Sequence, residues 1–266
     1  MKLDAKWFFI PYLLNNLSSY ILRRNKLPKV KSKIRKNHTK SFINTGTPFL
    51  IVGIFTIFYT KISEVMLGNL TDYRELAIFN VAITLGFAWT FVPHSLGLTF
   101  LTKALQAKKE EERLSNYSII LLLVCITSLP FILIISFFSP FIIDVLFNEE
   151  YSLAADLLPL LAISSLLSVL NVISNRIIGF YDGGGKYLYK KVFICSLVSI
   201  ISSYFFITHF GIMGAAYSVV TLELISLTIG NYIFKKGMIF KLHINIFNIN
   251  MLKQGFNKLT SITKKS

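Results

Sequence analysis

A stripe of polar side chains crosses one of the most apolar stretches of the chain. Ser164, Ser168, Asn171 and Asn175 follow one another at steps of four, three and four residues. This spacing places them on one face of a helix. Such a face either lines an aqueous cleft, where it can hydrogen-bond a polar substrate, or packs against another helix in lipid. Arg176 adjoins the stripe and would bind a phosphate or anchor to lipid headgroups.

Three charged residues also stand inside or beside apolar runs. A charge at the centre of a bilayer costs roughly 2.5–3.5 kcal/mol on insertion scales, so each needs a partner or water. Lys61 and Glu64 are three residues apart and can pair on one helix; alternatively, both snorkel to the interface. Glu223 lies near the middle of the last apolar run, with about ten residues of that run on either side. It is either a structural, hydrogen-bonded acid or a proton- or cation-linked coupling group.

The remaining reactive residue types form no catalytic pattern. The sequence has no nucleophile beside a base, no His/Cys set at metal-ligand spacing and no glycine-rich phosphate loop. The triplet of glycines at 183–185 predicts a turn. Cys125 and Cys195 lie in apolar runs and are expected to be small core residues. We therefore expect neither an enzyme nor a cofactor or a metal site.

The elements that carry these residues are predicted to be membrane-spanning helices. Hydrophobic residues make up 53% of the chain and charged residues only 15%, against about 25% charged in a soluble domain. Apolar runs of about 20 residues cross a bilayer as helices. The prediction is an all-α, polytopic membrane bundle with a marginal first span at 7–22. Six clear spans follow, at 42–67, 76–101, 117–138, 157–178, 192–207 and 212–234.

The charges between the runs predict the orientation. Residues 23–40 hold nine Lys or Arg and no acid, whereas 144–156 hold four acids and no base. Lys and Arg mark cytoplasmic loops, and every second loop here is basic, so the C-terminus is expected in the cytoplasm. The net charge of +15 is thus expected to meet anionic lipid headgroups and not nucleic acid.

Three regions follow from this layout. Residues 1–41 hold the marginal span and a basic cytoplasmic linker. Residues 42–234 form the membrane bundle, and 235–266 form a basic cytoplasmic tail. Within the tail, apolar residues from Ile249 to Ile262 recur at helical spacing, which is typical either of an interfacial helix or of an unstructured tail.

Several segments resemble a family of membrane transporters. YTKISEVMLGNL at 59–70 and IFNVAITLGFAWTFVP at 78–93 are similar to the start of the C-terminal half of Wzx-type polysaccharide flippases, of the multidrug/oligosaccharidyl-lipid/polysaccharide exporter superfamily. The resemblance continues in order through FNEEY at 147–151, the helix at 157–186 and HFGIMGAAYSVVTLE at 209–223. Each piece is weak by itself, and together they cover about 42–234.

The resemblance implies a fold and an activity. Such flippases have twelve helices in two six-helix lobes around a cleft, so this chain would be the second lobe plus the last helix of the first. It would flip an oligosaccharide linked to undecaprenyl pyrophosphate across a bacterial inner membrane, for O-antigen or other polysaccharide synthesis. Lys61 would then contact the pyrophosphate. The expected partner is a separately encoded first lobe or a second copy of the chain.

The chain also departs from the pattern of the family. Ser63 stands where relatives usually carry an aspartate, with the acid one step on at Glu64. Thr84 and Phe87 stand where relatives often have an arginine and a glutamate, although Glu223 matches. The lost cleft charges favour two alternatives, an inactive flippase remnant or an exporter of small amphipathic molecules from the same superfamily.

Overall fold

A computed structural model describes residues 36–107 and 109–246, which are almost entirely helical and contain no β-strand. By its internal contacts the chain divides into two units, Met1–Ile43 and Asn44–Ser266. Every side chain discussed below belongs to the second unit. The predicted marginal span at 7–22 and the apolar stripe at 249–262 lie outside the described residues.

Eight helices follow one another in the described part of the chain. Two single 3₁₀ turns, Glu149–Tyr151 and Phe234–Lys236, interrupt them. The helices are α1 (Lys36–Leu70), α2 (Tyr73–Ala88), α3 (Phe91–Ala104), α4 (Glu110–Leu146), α5 (Ala154–Phe180), α6 (Gly184–Leu227), α7 (Ile229–Tyr232) and α8 (Met238–Asn245).

Four of these segments are long and apolar enough to cross a membrane. They are Phe49–Leu70, Glu110–Leu146, Ala154–Phe180 and Gly184–Tyr232, and the bent pair α2–α3 is a fifth candidate. The α5 segment has the largest buried share, 56% of its apolar window, which makes it the central helix of the bundle. The chain is therefore an all-α protein with the helices of a multi-pass membrane protein.

The predicted single span at 76–101 is in fact two helices that meet at an angle of 43°. The break lies at Trp89 and Thr90, directly before Pro93 in the first turn of α3. A proline has no N–H and crowds the carbonyl four residues earlier, here that of Trp89, which favours a kink or break at this point. The Trp89 carbonyl accepts instead from the Val92 N–H at 3.2 Å, and the Thr90 hydroxyl donates to the Phe87 carbonyl at 2.6 Å.

Helix α6 reverses direction at Gly211. Its backbone there has φ 55° and ψ −133°, a conformation that favours glycine. Beyond it, a β-carbon on Gly214 would collide with the Phe206 carbonyl oxygen. The hydroxyls of Ser203 and Ser218 are 3.3 Å apart, although fifteen residues of straight helix would separate them by about 22 Å. Residues 184–210 and 212–227 are therefore two antiparallel arms.

Helix α5 packs different faces against different neighbours. Val169, Ile173 and Ile177 join a core cluster with residues of α3, α4 and α8. Nearer its start, Leu157 and Leu161 join a second cluster with residues of α1, α2 and the end of the α6 hairpin, where its two arms meet at Gly211. The polar face of α5, between these clusters, turns toward the arms of α6. The site lies there.

The beginning of the predicted basic tail is part of the bundle. Met238, Ile239 and Leu242 of α8 are buried in the same cluster as Tyr117 of α4, and the Ser118 hydroxyl donates to the Leu242 carbonyl at 3.1 Å. The boundary placed at residue 235 from charge alone therefore does not mark the end of the packed structure. The basic residues of this segment belong to a short amphipathic helix whose apolar face is buried.

Candidate functional site

A cavity of about 350 Å³ opens between α1, α2, α5 and the second arm of α6. Its polar wall brings together residues that are far apart in the sequence. Apolar and aromatic side chains complete the lining, as in most sites for small molecules. The polar and charged residues on its wall are Thr60, Lys61, Ser63, Glu64, Thr84, Ser168 and Glu223.

The charges on this wall are unequally exposed. Lys61 donates to Glu64 at 2.6 Å, and their side chains are 59% and 16% exposed. Glu223 is only 4% exposed, and Ser168 lies beside its carboxyl group. The positive charge of Lys61 is thus already balanced by Glu64, whereas Glu223 is a carboxylate on the cavity wall that contacts no lysine directly within residues 36–107 and 109–246.

Behind Glu223, the ammonium group of Lys191 sits in a nest of amide oxygens. Its Nζ atom donates to the Oδ1 atoms of Asn171, Asn175 and Asn231 at 2.8, 2.7 and 2.7 Å. These residues come from α5, the first arm of α6 and α7. Lys191 is 5% exposed and Asn231 is fully buried. The nest therefore ties three helices together away from solvent.

Asn171 links this nest to the cavity. Its Nδ2 donates to Glu223 Oε2 at 3.2 Å and to Ser226 Oγ at 2.8 Å. Its Oδ1 accepts from Lys191 and also from Asn231 Nδ2, at 3.2 Å. All four hydrogen-bonding positions of the amide are filled. The lysine and the glutamate thus compensate each other through Asn171 and not by direct contact.

The geometry also defines the protonation and orientation of these groups. Three acceptors surround Lys191 Nζ, and only the ammonium form has three N–H donors for them. The Asn171 oxygen must face Lys191, because a flipped amide would set N–H groups against the ammonium. A buried charge with complete hydrogen bonding is tolerated, whereas the same charge without partners is strongly destabilising.

A second polar contact joins α1 to the hairpin. The buried Ser63 hydroxyl lies 3.0 Å from that of Ser203 and 2.9 Å from that of Ser218. Each arm of α6 supplies one of these serines, so three small residues allow three helical segments to approach closely, as is common in membrane bundles. The position where the resemblance leads one to expect an aspartate is thus a packing contact here.

The predicted stripe on α5 divides among different surroundings. Ser168 lines the cavity, whereas Asn171 is 2% exposed and Asn175 contacts the nest. Ser164 is buried, and its hydroxyl has no hydrogen-bond partner in the part of the chain that the structure describes. Arg176 is exposed and stands apart from the cavity lining. The structure therefore brings Lys61, Glu64, Ser168 and Glu223 together and places Asn171 and Asn175 behind them.

Sequence reasoning missed Lys191 and Asn231. Lys191 stands at the edge of an apolar run, directly after Lys190, and a lysine pair at such a position is typical of a basic cytoplasmic loop. A signal was present: from Ser203 and Ser199, steps of four residues lead back through Cys195 to Lys191. All four are buried on one face of α6. Asn231 gave no such periodic signal.

No three His, Cys, Asp or Glu side chains cluster as metal ligands within 36–107 and 109–246. Comparison with protein-family models, with curated proteins and with solved structures found no match to this chain.

Proposed function

We propose that this chain is the membrane-embedded lobe of a transporter that flips a lipid-linked oligosaccharide, as the segments at 59–70, 78–93 and 209–223 suggest. The single observation that supports a transport site is the cavity, on which Lys61, Glu64, Ser168 and Glu223 converge from three helices. Polar and charged groups inside a membrane bundle raise the free energy of insertion, and where they occur they often mark the pathway of a substrate or an ion. Hydroxyls and carboxylates there would hydrogen-bond sugar hydroxyls.

We propose six crossings of a bacterial inner membrane, with α2–α3 as one bent crossing and each arm of α6 as another. The reversal at Gly211 supports this count. The Phe49 ring, at the start of the apolar part of α1, packs against Gly185, and the Glu75 carboxylate at the start of α2 lies near Gly211. The two ends of the bundle thus carry the basic and the acidic connections respectively, which supports a cytoplasmic C-terminus.

The orientation has a direct test. In a C125A/C195A background, a cysteine at the exposed Ser152 should react with a membrane-impermeant thiol reagent added to intact cells. A cysteine at the exposed Glu111 should react only after the cells are permeabilised. The reverse pattern would contradict the proposed orientation.

A second candidate is the export of small amphipathic cations. It is favoured by the chemistry of the wall, because Glu64 contacts Lys61 at 2.6 Å and the Glu223 carboxylate lines the cavity directly, whereas its compensating cation, Lys191, lies behind Asn171. A phosphate would find no free cation there unless the Lys61–Glu64 pair opened. An organic cation would find a carboxylate among apolar and aromatic side chains.

A bacterial strain without its own flippase separates the two candidates. For the flippase, we expect surface polysaccharide when the chain is co-expressed with a matching first lobe and not when it is expressed alone, since the resemblance implies a cleft between two lobes. For the exporter, we expect the chain to lower the accumulation of a lipophilic cationic dye. Restoration of polysaccharide by the chain alone would indicate that copies of it assemble into the transporter.

One test variant and one matched control are compared in both assays. The test variant Glu223→Gln removes the carboxylate and should abolish dye export. The control Glu111→Gln, at an exposed position on α4, should leave both readouts unchanged. If neither polysaccharide nor dye responds although the chain is inserted in the membrane, the proposal of transport is wrong and the inactive remnant is the better description.

A further inference from the structure

The nest around Lys191 has the ligand chemistry of a site for a monovalent cation. Three neutral amide oxygens, from Asn171, Asn175 and Asn231, converge on one point at 2.7–2.8 Å. Rings of neutral carbonyl oxygens replace the hydration shell of monovalent ions in channels. Divalent ions such as Ca²⁺ usually add carboxylates to the first coordination shell. Here the carboxylate of Glu223 does not contact the centre of the nest, because Asn171 lies between them.

We infer that the Lys191 ammonium is a tethered cation, which occupies a monovalent-cation site and serves there as the permanent counter-charge of Glu223. The contacts on both sides of Asn171 carry this inference. One side of its amide accepts from Lys191, and the other donates to Glu223 Oε2 at 3.2 Å. The amide dipole is therefore aligned between the two charges, and Glu223 keeps a compensating charge without taking an ion from solution.

The burial of the site explains why a tether is useful. Lys191, Asn171, Asn231 and Glu223 are each at most 5% exposed. A free ion would have to lose its water to enter, and an isolated carboxylate left behind would be strongly destabilising. A cation attached to α6 is present at every moment after folding. The inference concerns the state of this site and does not depend on which substrate the cavity takes.

The test is to remove the tether and offer free cations. Lys191→Ala should lower the unfolding temperature in choline chloride by at least about 3 °C. Sodium, potassium or methylammonium chloride at the same ionic strength should restore a saturable part of that loss, since a ligand that binds only the folded state stabilises it. The wild-type chain and the control Lys190→Ala, at an exposed neighbouring lysine, should be indifferent to the choice of cation.

The double variant Lys191→Ala/Glu223→Gln decides the role as counter-charge. Without the carboxylate the empty nest needs no cation, so this variant should unfold at a higher temperature than Lys191→Ala in choline chloride, and it should lose most of the cation-specific effect. If Lys191→Ala is too unstable for melting curves, the yield of monodisperse protein in each salt replaces them. Equal behaviour of Lys191→Ala in all four salts, or no gain in the double variant, would overturn the inference.

Discussion

The cavity wall and the amide nest use the same residue types, a lysine and a glutamate each, in contrasting ways. On the wall, Lys61 contacts Glu64 directly at 2.6 Å and remains 59% exposed. In the nest, Lys191 is 5% exposed and reaches Glu223 only through Asn171. The first pair can separate at little cost because water replaces the lost contact, whereas the second cannot.

This difference shows how a bundle can combine a mobile site with a rigid support. Exposed ion pairs contribute roughly 0–1 kcal/mol, so Lys61 and Glu64 can leave each other and contact a substrate instead. Breaking a buried pair costs about 3–5 kcal/mol. Glu223 belongs to both regions, since it lines the cavity and accepts from Asn171. We infer that the nest holds this carboxylate in place while the outer pair rearranges.

The largest effect is expected from Asn171→Leu. The variant removes four hydrogen bonds and leaves the Lys191 ammonium with one N–H group unpaired. Interhelical hydrogen bonds in membrane proteins average about 0.6 kcal/mol, and the unpaired charge adds to their loss. We expect about 3 kcal/mol of destabilisation, measured by thermal or denaturant unfolding in detergent.

Glu64→Gln is the matched variant on the open side and should change stability far less than Asn171→Leu. Similar losses for the two variants would show that the wall and the nest do not differ as the exposures suggest.

Chemical accessibility should separate the two regions next. In a C125A/C195A background, Ser168→Cys on the cavity wall should react with a small charged thiol reagent at least about ten times faster than Ser226→Cys in the nest. The reason is burial: Ser226 is 1% exposed, whereas Ser168 is half-buried and lines the cavity. A free energy difference of about 1.4 kcal/mol in local opening is enough for this ratio. Equal rates would mean that water reaches the nest.

A smaller effect is expected from Ser218→Ala. The variant removes two interhelical hydroxyl contacts, to Ser63 and Ser203, and one within its own helix, to the Ala215 carbonyl, but it leaves no charge unpaired. At the average value for membrane proteins, this is about 1 kcal/mol of unfolding free energy. The matched control is Ser202→Ala, which loses a single contact to the Ser199 carbonyl and should cost less. A loss near 3 kcal/mol for Ser218→Ala would mean that the serine cluster stabilises the bundle as much as the nest does.

The smallest effect on stability is expected from the outer pair. Glu64→Gln and Lys61→Gln should each change the free energy of unfolding by less than about 0.5 kcal/mol, and the change should shrink further in high salt. Transport should respond more strongly than stability, because both side chains line the cavity. A loss of stability without a change in transport would assign the pair to structure.

Most of the architecture followed from local patterns. The apolar runs predicted helices, and the separation of three residues between Lys61 and Glu64 allowed the pairing that the structure shows. The break after Ala88 did not follow, because hydropathy averages over a window and does not register that Pro93 removes one backbone hydrogen bond. Helix α8 was missed for a similar reason: a count of basic residues does not show which face of a short helix is apolar.

The candidate site was predictable in its members more than in its arrangement. The steps of four and three residues on α5 correctly placed Ser168, Asn171 and Asn175 along one helix face. Their different surroundings, an open cavity for Ser168 and a closed nest for Asn171, depend on the position of neighbouring helices. Residues three apart on a helix differ by about 60° in direction, which is enough to turn one side chain to the cavity and another to α6.

By itself, the sequence determined that this protein is a bundle of apolar helices with a few intramembrane polar groups, because hydropathy and helical period act within single segments. Only the tertiary structure decided which of those groups meet. Lys191 and Glu223 are 32 residues apart in the sequence, and they approach each other because α6 reverses at Gly211 and presents both to Asn171 of α5. A lysine at the edge of an apolar run looks like an interfacial anchor until the fold surrounds it with three amide oxygens.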